Sequence, residues 1–379
     1  MKILITGGAG FIGSHTADAL IKLGHEVKIL DLLDPQIHGK SGRFPGYLNP
    51  AVECIFGDVR NLSTVTEALQ GVEAIYHFAA LTGVGQSMYD MRSYVDTNCT
   101  GTATLLEAII KRDLPVKRLV LSSSRAVYGE GSHLCRTHGE IYPELRRRED
   151  LEKGQFDCIC PHCGELLQTV PTQENRPLKP ISVYAWTKAQ QEQQCLYVAN
   201  TFQLPVTVLR FFNVYGSRQS LQNPYTGVVS IFYSRILADQ PVYLYEHGKP
   251  SRDFVHISDV VQANTLALSS EVPSGTAINV GSGVDVTIRD VAEALQRATG
   301  RTAKILDRGE FRVGDIHSCT ADLSLAQQLL GYSPNIPLTE GIQEFVDWAS
   351  TEQSIDLYDQ ALKELQRHGL FGRAAGSSD

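Results

Sequence analysis

The chain begins with Met1-Lys-Ile-Leu-Ile-Thr-Gly-Gly-Ala-Gly-Phe-Ile-Gly13, and this stretch decides its fold. Lys2 to Thr6 is a short run rich in β-branched residues without polar alternation, which predicts a strand covered on both faces. The glycines that follow predict a tight turn into a helix from about Gly10 to Leu23. A second strand is predicted from Glu26 to Leu30. The chain therefore opens with a strand–helix–strand unit.

Three of these glycines and one acidic residue predict a dinucleotide site. Gly7, Gly10 and Gly13 let the backbone approach a pyrophosphate, which binds to the free N–H groups and the positive end of the helix. Asp31 follows the second strand, near the offset of about 20 residues at which an acidic residue binds the adenosine ribose. The alternative is a glycine-rich turn without a ligand, and the strand–helix–strand context argues against it. Asp31 favours NAD over NADP, because a carboxylate repels a 2′-phosphate.

Length and composition exclude several classes of protein. The 379 residues are enough for a large core and two lobes. The net charge of −8 and the lack of a sustained basic stripe argue against nucleic acid or an anionic membrane as a partner. The sequence has no apolar run of about 18 residues and no signal peptide pattern, which predicts a cytoplasmic protein. Eight cysteines in a chain of this size do not indicate a disulfide framework.

Strands and helices alternate through the first half of the chain. Further strands are predicted at Val52–Phe56, Ala74–Phe78, Arg118–Ser122 and Val206–Phe212, and helices at Leu62–Leu69, Tyr94–Arg112 and Tyr184–Phe202. This alternation predicts an α/β fold with a Rossmann-like, doubly wound parallel sheet. Polar and small residues follow the strands, so the motifs should meet at one rim, where the carboxyl ends of the strands lie.

The pattern divides the chain into five predicted segments. These are a dinucleotide-binding domain over residues 1–131, an insertion rich in Cys and His over 132–176, a return to the first domain over 177–212, a smaller α+β substrate lobe over 213–350, and a C-terminal helix and tail over 351–379. Leu357, Ala361 and Leu365 share one face of that helix. The last nine residues, from Phe371, are predicted to be a loose tail.

A tyrosine and a lysine four residues apart carry the predicted chemistry. Tyr184 and Lys188 lie on one face of one helix. Free tyrosine has a pKa of about 10 and is a poor base at neutral pH. A lysine cation about 4 Å away would stabilise the phenolate by about 4 kcal/mol at an effective dielectric of about 20. Ser124, at a strand end on the same rim, can bind the reacting hydroxyl beside Tyr184.

The order of the motifs resembles that of the extended short-chain dehydrogenase/reductases, in their nucleotide-sugar epimerase/dehydratase branch. The motifs are the glycine turn, Asp31, Gly57-Asp58-Val59, Phe78-Ala-Ala80, Asn98, Ser122-Ser-Ser-Arg-Ala-Val-Tyr-Gly129, Tyr184-Ala-Trp-Thr-Lys188, Arg210-Phe-Phe-Asn213 and Arg252-Asp-Phe-Val-His256. The resemblance covers about residues 1–350, apart from the insertion.

This resemblance implies roles for particular residues. It makes Ser124, Tyr184 and Lys188 the catalytic set. It places NAD against Gly7, Gly10, Phe11, Ile12, Gly13, Asp31, Asp58, Val59, Phe78, Ala79, Ala80, Asn98, Ser122, Tyr184, Lys188 and Phe211. It places a nucleotide-diphospho-sugar against Ser124, Asn213, Tyr245, Arg252 and Arg312. A surface ion pair is the alternative for the two arginines, but bidentate phosphate binding suits arginine best.

One departure from the family pattern decides the predicted reaction. The 4,6-dehydratases of the family place Asp-Glu after the serine or threonine, and the decarboxylases carry a glutamate there. This chain has Arg125 and Ala126. Dehydration and decarboxylation both lose their expected carboxylate, which leaves epimerisation at C4. The resemblance then implies that Tyr184 takes the 4-hydroxyl proton while hydride passes to NAD, that the 4-keto sugar turns over, and that hydride returns to its other face.

The insertion carries two Cys/His knuckles. Cys135-Arg-Thr-His138 and Cys160-Pro-His-Cys163 have the ligand-x2-ligand spacing of a zinc ribbon, which predicts one structural zinc. Cys158, His133 and His162 are alternative ligands. A loop with free thiols is the alternative without a metal.

The insertion sharpens the resemblance within the family. Together with Gly83-Val-Gly-Gln-Ser-Met-Tyr89 and Asn223-Pro-Tyr-Thr-Gly227, it resembles the dTDP-L-rhamnose 4-epimerase subgroup most. UDP-glucose/galactose or UDP-glucuronate 4-epimerase is the alternative among enzymes. The alternative from another class is a catalytically silent NAD-binding scaffold with a zinc-ribbon interaction module. Relatives also imply a homodimer through Tyr94–Arg112 and Tyr184–Phe202.

Overall fold

The computed structural model describes residues 1–225 and 227–375. Its strands are β1 (Lys2–Thr6), β2 (Glu26–Asp31), β3 (Glu53–Phe56), β4 (Ala74–His77), β5 (Arg118–Ser124), β6 (His133–Cys135), β7 (Gly139–Ile141), β8 (Gln168–Thr169), β9 (Val206–Phe211), β10 (Asn213–Tyr215), β11 (Val242–Leu244), β12 (Ser251–His256), β13 (Thr276–Val280), β14 (Asp285–Thr287), β15 (Ile305–Asp307), β16 (Glu310–Arg312) and β17 (Phe371–Arg373).

The α-helices are α1 (Phe11–Lys22), α2 (Pro35–His38), α3 (Leu62–Ala68), α4 (Val84–Ser87), α5 (Met91–Tyr94), α6 (Gly101–Lys111), α7 (Arg148–Leu151), α8 (Val183–Phe202), α9 (Val228–Leu237), α10 (Ile257–Ser269), α11 (Ile288–Thr299), α12 (Ser324–Leu330), α13 (Leu338–Ala349) and α14 (Tyr358–Arg367). A π-helical stretch, Val95–Thr100, joins α5 to α6, so the helix predicted over Tyr94–Arg112 is interrupted by a wider turn. Within the described residues, no helix is long and apolar enough to cross a membrane.

Seven parallel strands form the main sheet, in the order β13-β9-β5-β4-β1-β2-β3. The order runs outward in both directions from β1 and β4, which is the doubly wound arrangement that the sequence predicts. One face is covered by α1, α10 and α12, which bury residues such as Leu20, Ala263 and Leu330. The other face is covered by α3, α6 and α8, which bury residues such as Val65 and Leu106. The prediction of a Rossmann-like α/β fold is confirmed.

The turn between β1 and α1 requires glycine for two different reasons. Gly7 has a φ of +69°, and a Cβ there would lie 2.8 Å from the backbone nitrogen of Ala79. At Gly13 a Cβ would lie 2.4 Å from the carbonyl oxygen of Gly7. The first glycine therefore permits a left-handed turn against the next strand end, and the second permits close packing of α1 on that turn.

The second lobe is smaller and of mixed composition. Its core is formed by α9, α11 and α13 with the short strands β11, β12 and β14. The chain returns to the main sheet after entering this lobe, because β13 pairs in parallel with β9. The main sheet thus takes one strand from residues 213–350, the range that the sequence assigns to the substrate lobe alone.

The insertion has its own small antiparallel sheet, in the order β7-β6-β8. Leu151 and Phe156 of the insertion form a buried cluster with Phe311 of the second lobe. That residues 132–176 form a separate unit stays a prediction. That this unit is a zinc ribbon also stays a prediction.

The C-terminal segment differs from the predicted loose tail. Phe371–Arg373 is β17, an antiparallel partner of β16. Hydrogen bonds from Val313 N to Leu370 O (3.0 Å) and from Ala374 N to Gly309 O (2.9 Å) extend the pairing. The prediction was wrong for these residues because β16 has unpaired backbone N–H and C=O groups along its edge, and Phe371–Arg373 forms hydrogen bonds with them. Residues 376–379 of the predicted tail lie outside the described residues.

Candidate active site

A cleft of about 1010 Å³ lies at the carboxyl ends of the main-sheet strands, between the two lobes. It opens where the strand order reverses, between β1 and β4, as ligand sites do in sheets of this kind. The predicted residues that line it are Gly7, Gly10, Phe11, Ile12, Gly13, Asp31, Asp58, Val59, Phe78, Ala79, Ala80, Ser122, Ser124, Tyr184, Lys188, Phe211, Asn213, Tyr245, Arg252 and Arg312.

The glycine turn leaves donors free for a ligand. Gly10 is the N-cap residue of α1, and no side chain caps this end of the helix. The first N–H groups of α1 therefore face the cleft without a side-chain acceptor, beside the positive end of the helix dipole. The backbone approach that Gly7 and Gly13 permit keeps this end of the helix accessible. These residues fit the pyrophosphate of NAD.

Asp31 is held in place by the turn that it follows. Its Oδ2 accepts a hydrogen bond from Ala9 N at 3.0 Å, and its Oδ1 accepts one from Leu33 N at 2.9 Å. A carboxylate has about four lone-pair sites, so two of them remain for ribose hydroxyls. The carboxylate thus links the pyrophosphate turn to the expected ribose site.

Asn98 lies behind the cleft wall rather than in it. Its side chain is fully buried, and its amide bonds Leu81 through both the backbone N–H (2.8 Å) and the carbonyl oxygen (3.1 Å). It also donates to Thr187 Oγ1 at 2.9 Å. Asn98 therefore ties the loop after β4 to the helix that carries Tyr184, and it acts on the cleft through those neighbours.

Tyr184 and Lys188 come from the first two turns of α8. Ser182 caps this helix by accepting a hydrogen bond from Ala185 N at 3.1 Å. Ser87 Oγ accepts another from Tyr184 N at 3.0 Å, which satisfies a second free N–H group of the same turn. These two bonds fix the start of α8 and hence the direction of the phenol.

Lys188 is 3% exposed, and its Nζ donates to Ser122 O at 2.9 Å. Burial lowers its pKa to about 8, against the opposing effect of Glu192. The amine is therefore anchored to the end of β5, with a pKa closer to neutral pH than that of a free lysine.

The electrostatics of Tyr184 differ from the sequence-based expectation. Burial raises its pKa, while a hydrogen bond with Ser124 and the charge of Arg125 lower it. The expected cation was Lys188, but its amine is directed to a backbone carbonyl. Arg125 takes the place of the missing family carboxylate and brings a positive charge to the phenol instead.

Two arginines and one aspartate form the opposite wall. Arg252 Nη2 donates to Asp315 Oδ1 at 2.8 Å, and Arg312 Nη2 donates to Asp315 Oδ2 at 2.6 Å. Although burial opposes ionisation, Arg312, Arg252 and Arg125 hold the pKa of the Asp315 carboxyl well below its usual range. Arg312 Nε is buried without a hydrogen-bond partner among the described residues. Three guanidinium groups around one carboxylate leave this wall with a net positive charge suited to a diphosphate.

The sequence did not indicate the part that the C-terminal helix plays. Tyr358 and Leu365 of α14 line the cleft. The Tyr358 hydroxyl hydrogen-bonds the Tyr245 hydroxyl at 2.5 Å, and the Tyr358 ring stacks on Tyr243 at 5.7 Å. The apolar face of α14 was visible in the sequence, but its target was not, because no local pattern links residue 358 to residue 245.

The structure gathers the four predicted metal ligands. The ligand atoms of Cys135, His138, Cys160 and Cys163 all lie within 4.8 Å of one another. Cys135 Sγ lies 3.6 Å from His138 Nδ1 and 3.6 Å from Cys163 Sγ, and Cys160 Sγ lies 3.6 Å from His138 Nδ1. Two of the alternative ligands lie elsewhere: Cys158 is buried beside Glu130, and His133 contacts Ser318 at 3.4 Å. His162 packs 5.1 Å from His138, ring centre to ring centre.

Fold and cleft together define an enzyme of the extended short-chain dehydrogenase/reductase class. Residues 3–150 and 157–281 match the NAD dependent epimerase/dehydratase family. A dTDP-L-rhamnose 4-epimerase of Burkholderia thailandensis is 36% identical over 354 residues, 93% of this chain and 95% of that protein. The chain belongs to the NAD dependent epimerase/dehydratase family.

Solved structures agree with this assignment. UDP-glucuronic acid 4-epimerase of Bacillus cereus, in complex with UDP-glucuronic acid and NAD, has a TM-score of 0.76 at 27% identity, covering 93% of this chain and 99% of that chain. UDP-glucose 4-epimerase of Thermotoga maritima, with UDP-glucose, has a TM-score of 0.75 at 29% identity with the same coverage. The prediction of an NAD-dependent isomerase of the nucleotide-sugar epimerase kind is confirmed.

Proposed function

We propose that this enzyme is a 4-epimerase of a nucleotide-diphospho-sugar and that its substrate is dTDP-L-rhamnose. The observation that carries the reaction type is the cleft in which Ser124 and Tyr184 face an arginine-rich wall while Arg125 stands where dehydratases and decarboxylases need a carboxylate. The choice of sugar is supported by the similarity to the Burkholderia 4-epimerase and by the Cys/His insertion. The alternatives are UDP-glucose, UDP-galactose and UDP-glucuronate.

The chain's own residues suit each part of this reaction. Bound NAD supplies the acceptor and donor of a hydride at C4. Tyr184 removes the proton of the 4-hydroxyl and later returns it, with Ser124 bonded to the phenol and the positive charge of Arg125 stabilising the phenolate. Arg252 and Arg312 hold the diphosphate, about which the 4-keto sugar turns between the two hydride transfers.

A panel of sugars tests the substrate. Purified enzyme is incubated separately with dTDP-L-rhamnose, UDP-glucose, UDP-galactose and UDP-glucuronate, and C4 epimers are identified by NMR of the product. Conversion of dTDP-L-rhamnose with the highest kcat/KM supports the proposal. A higher kcat/KM on a UDP-sugar would make that sugar the substrate instead. If no sugar shows hydride exchange, the remaining alternative is a catalytically silent NAD-binding scaffold.

Tyr184→Phe tests the base, since only one hydroxyl is removed. Loss of general base catalysis should lower kcat by about 10²- to 10⁴-fold, with NAD content unchanged. Tyr197→Phe is the matched control, because Tyr197 lies on the same helix, is 69% exposed and keeps its aromatic ring in this variant. Equal activity of Tyr184→Phe and the control would remove Tyr184 from the base role.

We also propose that the Cys/His cluster binds one structural zinc ion. Ligands at about 2.3 Å from a tetrahedral zinc lie about 3.7 Å apart, and the 3.6 Å separations described above support that geometry. Four protein ligands leave no position for a catalytic water. Metal analysis should find about one zinc per chain, reduced in Cys163→Ser and retained in Cys54→Ser, whose exposed thiol lies outside the cluster. Zinc-free protein with freely titratable thiols would contradict the proposal.

We also propose that the protein forms a homodimer through α6 and α8. Support comes from large side chains exposed on α8, with Trp186 44% and Tyr197 69% exposed. Light scattering should give twice the chain mass, and Tyr197→Lys should shift the protein towards monomer. Phe56→Lys, at an exposed site on edge strand β3, is the control. A monomer at working concentrations would refute the proposed assembly.

A further inference from the structure

One buried arginine connects the insertion to the diphosphate wall. Arg146 follows the first knuckle of the insertion, and its side chain is 6% exposed. Its guanidinium bonds two buried carboxylates: Nε donates to Glu130 Oε1 at 3.0 Å, and both Nη atoms donate to Glu246. The side chains of Glu130 and Glu246 are 0% and 2% exposed. A cation that satisfies two buried anions cannot be replaced by water without leaving them unpaired.

The remaining donors of Arg146 reach backbone on both sides. Nη1 donates to Phe156 O at 2.7 Å, inside the insertion, and Nη2 donates to Asp315 O at 2.9 Å, in the substrate lobe. Asp315 is the carboxylate that orients Arg252 and Arg312. One planar side chain therefore spans from the insertion to the residue that positions both predicted diphosphate arginines.

A second route runs through Glu130. Its Oε2 accepts a hydrogen bond from His317 N at 2.6 Å, while Arg252 Nη1 donates to His317 O at 2.9 Å. Arg146, Glu130, His317 and Arg252 thus form a continuous chain of hydrogen bonds. All the hydrogen bonds of such a buried chain are made in only one arrangement of its side chains. Removal of Arg146 at one end is therefore expected to shift Arg252 at the other end.

The third route runs through Glu246 to the residue before it. Glu246 and His247 have φ values of +50° and +61°, a backbone conformation that residues other than glycine rarely adopt. Such a backbone persists only where its surroundings hold it, and the Arg146–Glu246 pair does so here. Tyr245, at the start of this turn, has the Arg312 guanidinium 5.3 Å from its ring centre. The turn therefore positions Arg312 through the ring of Tyr245, while Asp315 holds the same guanidinium by a hydrogen bond.

We propose that Arg146 is a positioning residue through which the insertion holds the nucleotide-sugar diphosphate site in its binding arrangement. The proposal rests on the proposed function, because it takes Arg252 and Arg312 as the diphosphate arginines. Arg146 touches neither substrate nor cofactor. Its loss acts on binding of the nucleoside diphosphate moiety and leaves the NAD half of the cleft as it is.

The test measures nucleotide binding and NAD content side by side. Arg146→Gln and Arg146→Lys are compared with wild type and with Arg147→Gln, whose side chain is 75% exposed and pairs with Asp150 at the surface. Calorimetry with dTDP and UDP gives Kd, turnover gives kcat and KM, and extraction gives NAD per chain. Arg146→Gln should raise Kd and KM about tenfold, with kcat and NAD content unchanged. Arg146→Lys, which keeps the charge but loses the planar fork, should restore part of the affinity, and Arg147→Gln should match wild type.

Each other outcome has a definite meaning. Unchanged Kd in Arg146→Gln overturns the inference, as does an equal loss of NAD and nucleotide in a variant that denaturant unfolding shows to be folded. If Arg146→Gln does not fold, Arg146→Gln combined with Glu246→Gln removes the cation together with one of its anions. That variant should bind dTDP more weakly than wild type, and wild-type affinity in it overturns the inference. Wild-type protein that binds neither dTDP nor UDP overturns the proposed function instead.

Discussion

Alanine at three glycines separates the two physical requirements of the dinucleotide turn. Gly24→Ala introduces a side chain at φ +80° with nothing within 4 Å of the new Cβ. This variant carries backbone strain alone, about 1 kcal/mol. Gly13→Ala places Cβ 2.4 Å from Gly7 O, where ordinary contacts begin at 3.4 Å, so the turn and the helix must separate by about 1 Å. Gly7→Ala combines strain at φ +69° with a contact of 2.8 Å to Ala79 N.

The expected order of NAD affinity follows from these contacts. Overpacking of the size met at Gly13 costs about 1–3 kcal/mol, which lowers NAD affinity by about 5- to 150-fold where the turn contacts the pyrophosphate. Gly7→Ala should also lose NAD affinity, because strain at φ +69° adds to a contact that is milder than the one at Gly13. Gly24→Ala should retain NAD while its free energy of unfolding falls by about 1 kcal/mol.

The assay is NAD content per chain after purification, read beside denaturant unfolding of each variant. Gly24→Ala controls for strain outside the turn. Wild-type NAD content in Gly13→Ala would refute this expectation, since a backbone contact of 2.4 Å would then have no consequence at the site. Loss of NAD in Gly24→Ala would refute it as well, since reduced stability alone would then explain all three variants.

Three further predictions concern the other half of the cleft. The Arg125 cation lowers the pKa of Tyr184, so Arg125→Gln should raise that pKa and move the acid limb of the kcat–pH profile to higher pH. Arg125→Lys, which keeps the charge, should have a profile close to that of wild type. An acid limb that does not move in Arg125→Gln contradicts this role. Chelation of the proposed zinc should raise KM for the nucleotide sugar with unchanged NAD content, and should open cleavage sites for protease between residues 132 and 176. Truncation after Leu370 removes the partner of β16 and should raise the same KM, measured with dTDP-L-rhamnose and compared with a truncation after Ala375; equal KM in both would show that β17 is dispensable for Arg312.

The sequence was sufficient wherever local covalent geometry decides the structure. β1 has the predicted bounds, and the other predicted main-sheet strands differ from prediction by one or two residues, because short β-branched runs between turn residues have few alternatives. The glycine turn was equally readable, since a left-handed φ and a close approach each exclude side chains.

Long-range contacts were not readable from the sequence. Thr276–Val280 is as short and apolar as the strands of the second lobe, and only its pairing with β9 places it in the main sheet. The spacing of Tyr184 and Lys188 fixes a shared helix face, but it does not show that a backbone carbonyl binds the amine while the charge of Arg125 lowers the pKa of the phenol. Whether two charges pair depends on the positions of the charged groups at the ends of the side chains, whereas sequence spacing fixes only the positions of their Cα atoms on the helix.

The two halves of the cleft therefore have different origins. The NAD half is built from one turn and the ends of adjacent parallel strands, so its shape is fixed as soon as the sheet forms. The proposed diphosphate half depends on β17, α14 and the insertion, all of which meet around Arg312 and Asp315. Each of those contacts joins residues more than 40 positions apart. Mutations in the insertion or the C-terminal segment should thus alter nucleotide-sugar affinity without altering NAD content, and the reverse should hold for the glycine turn.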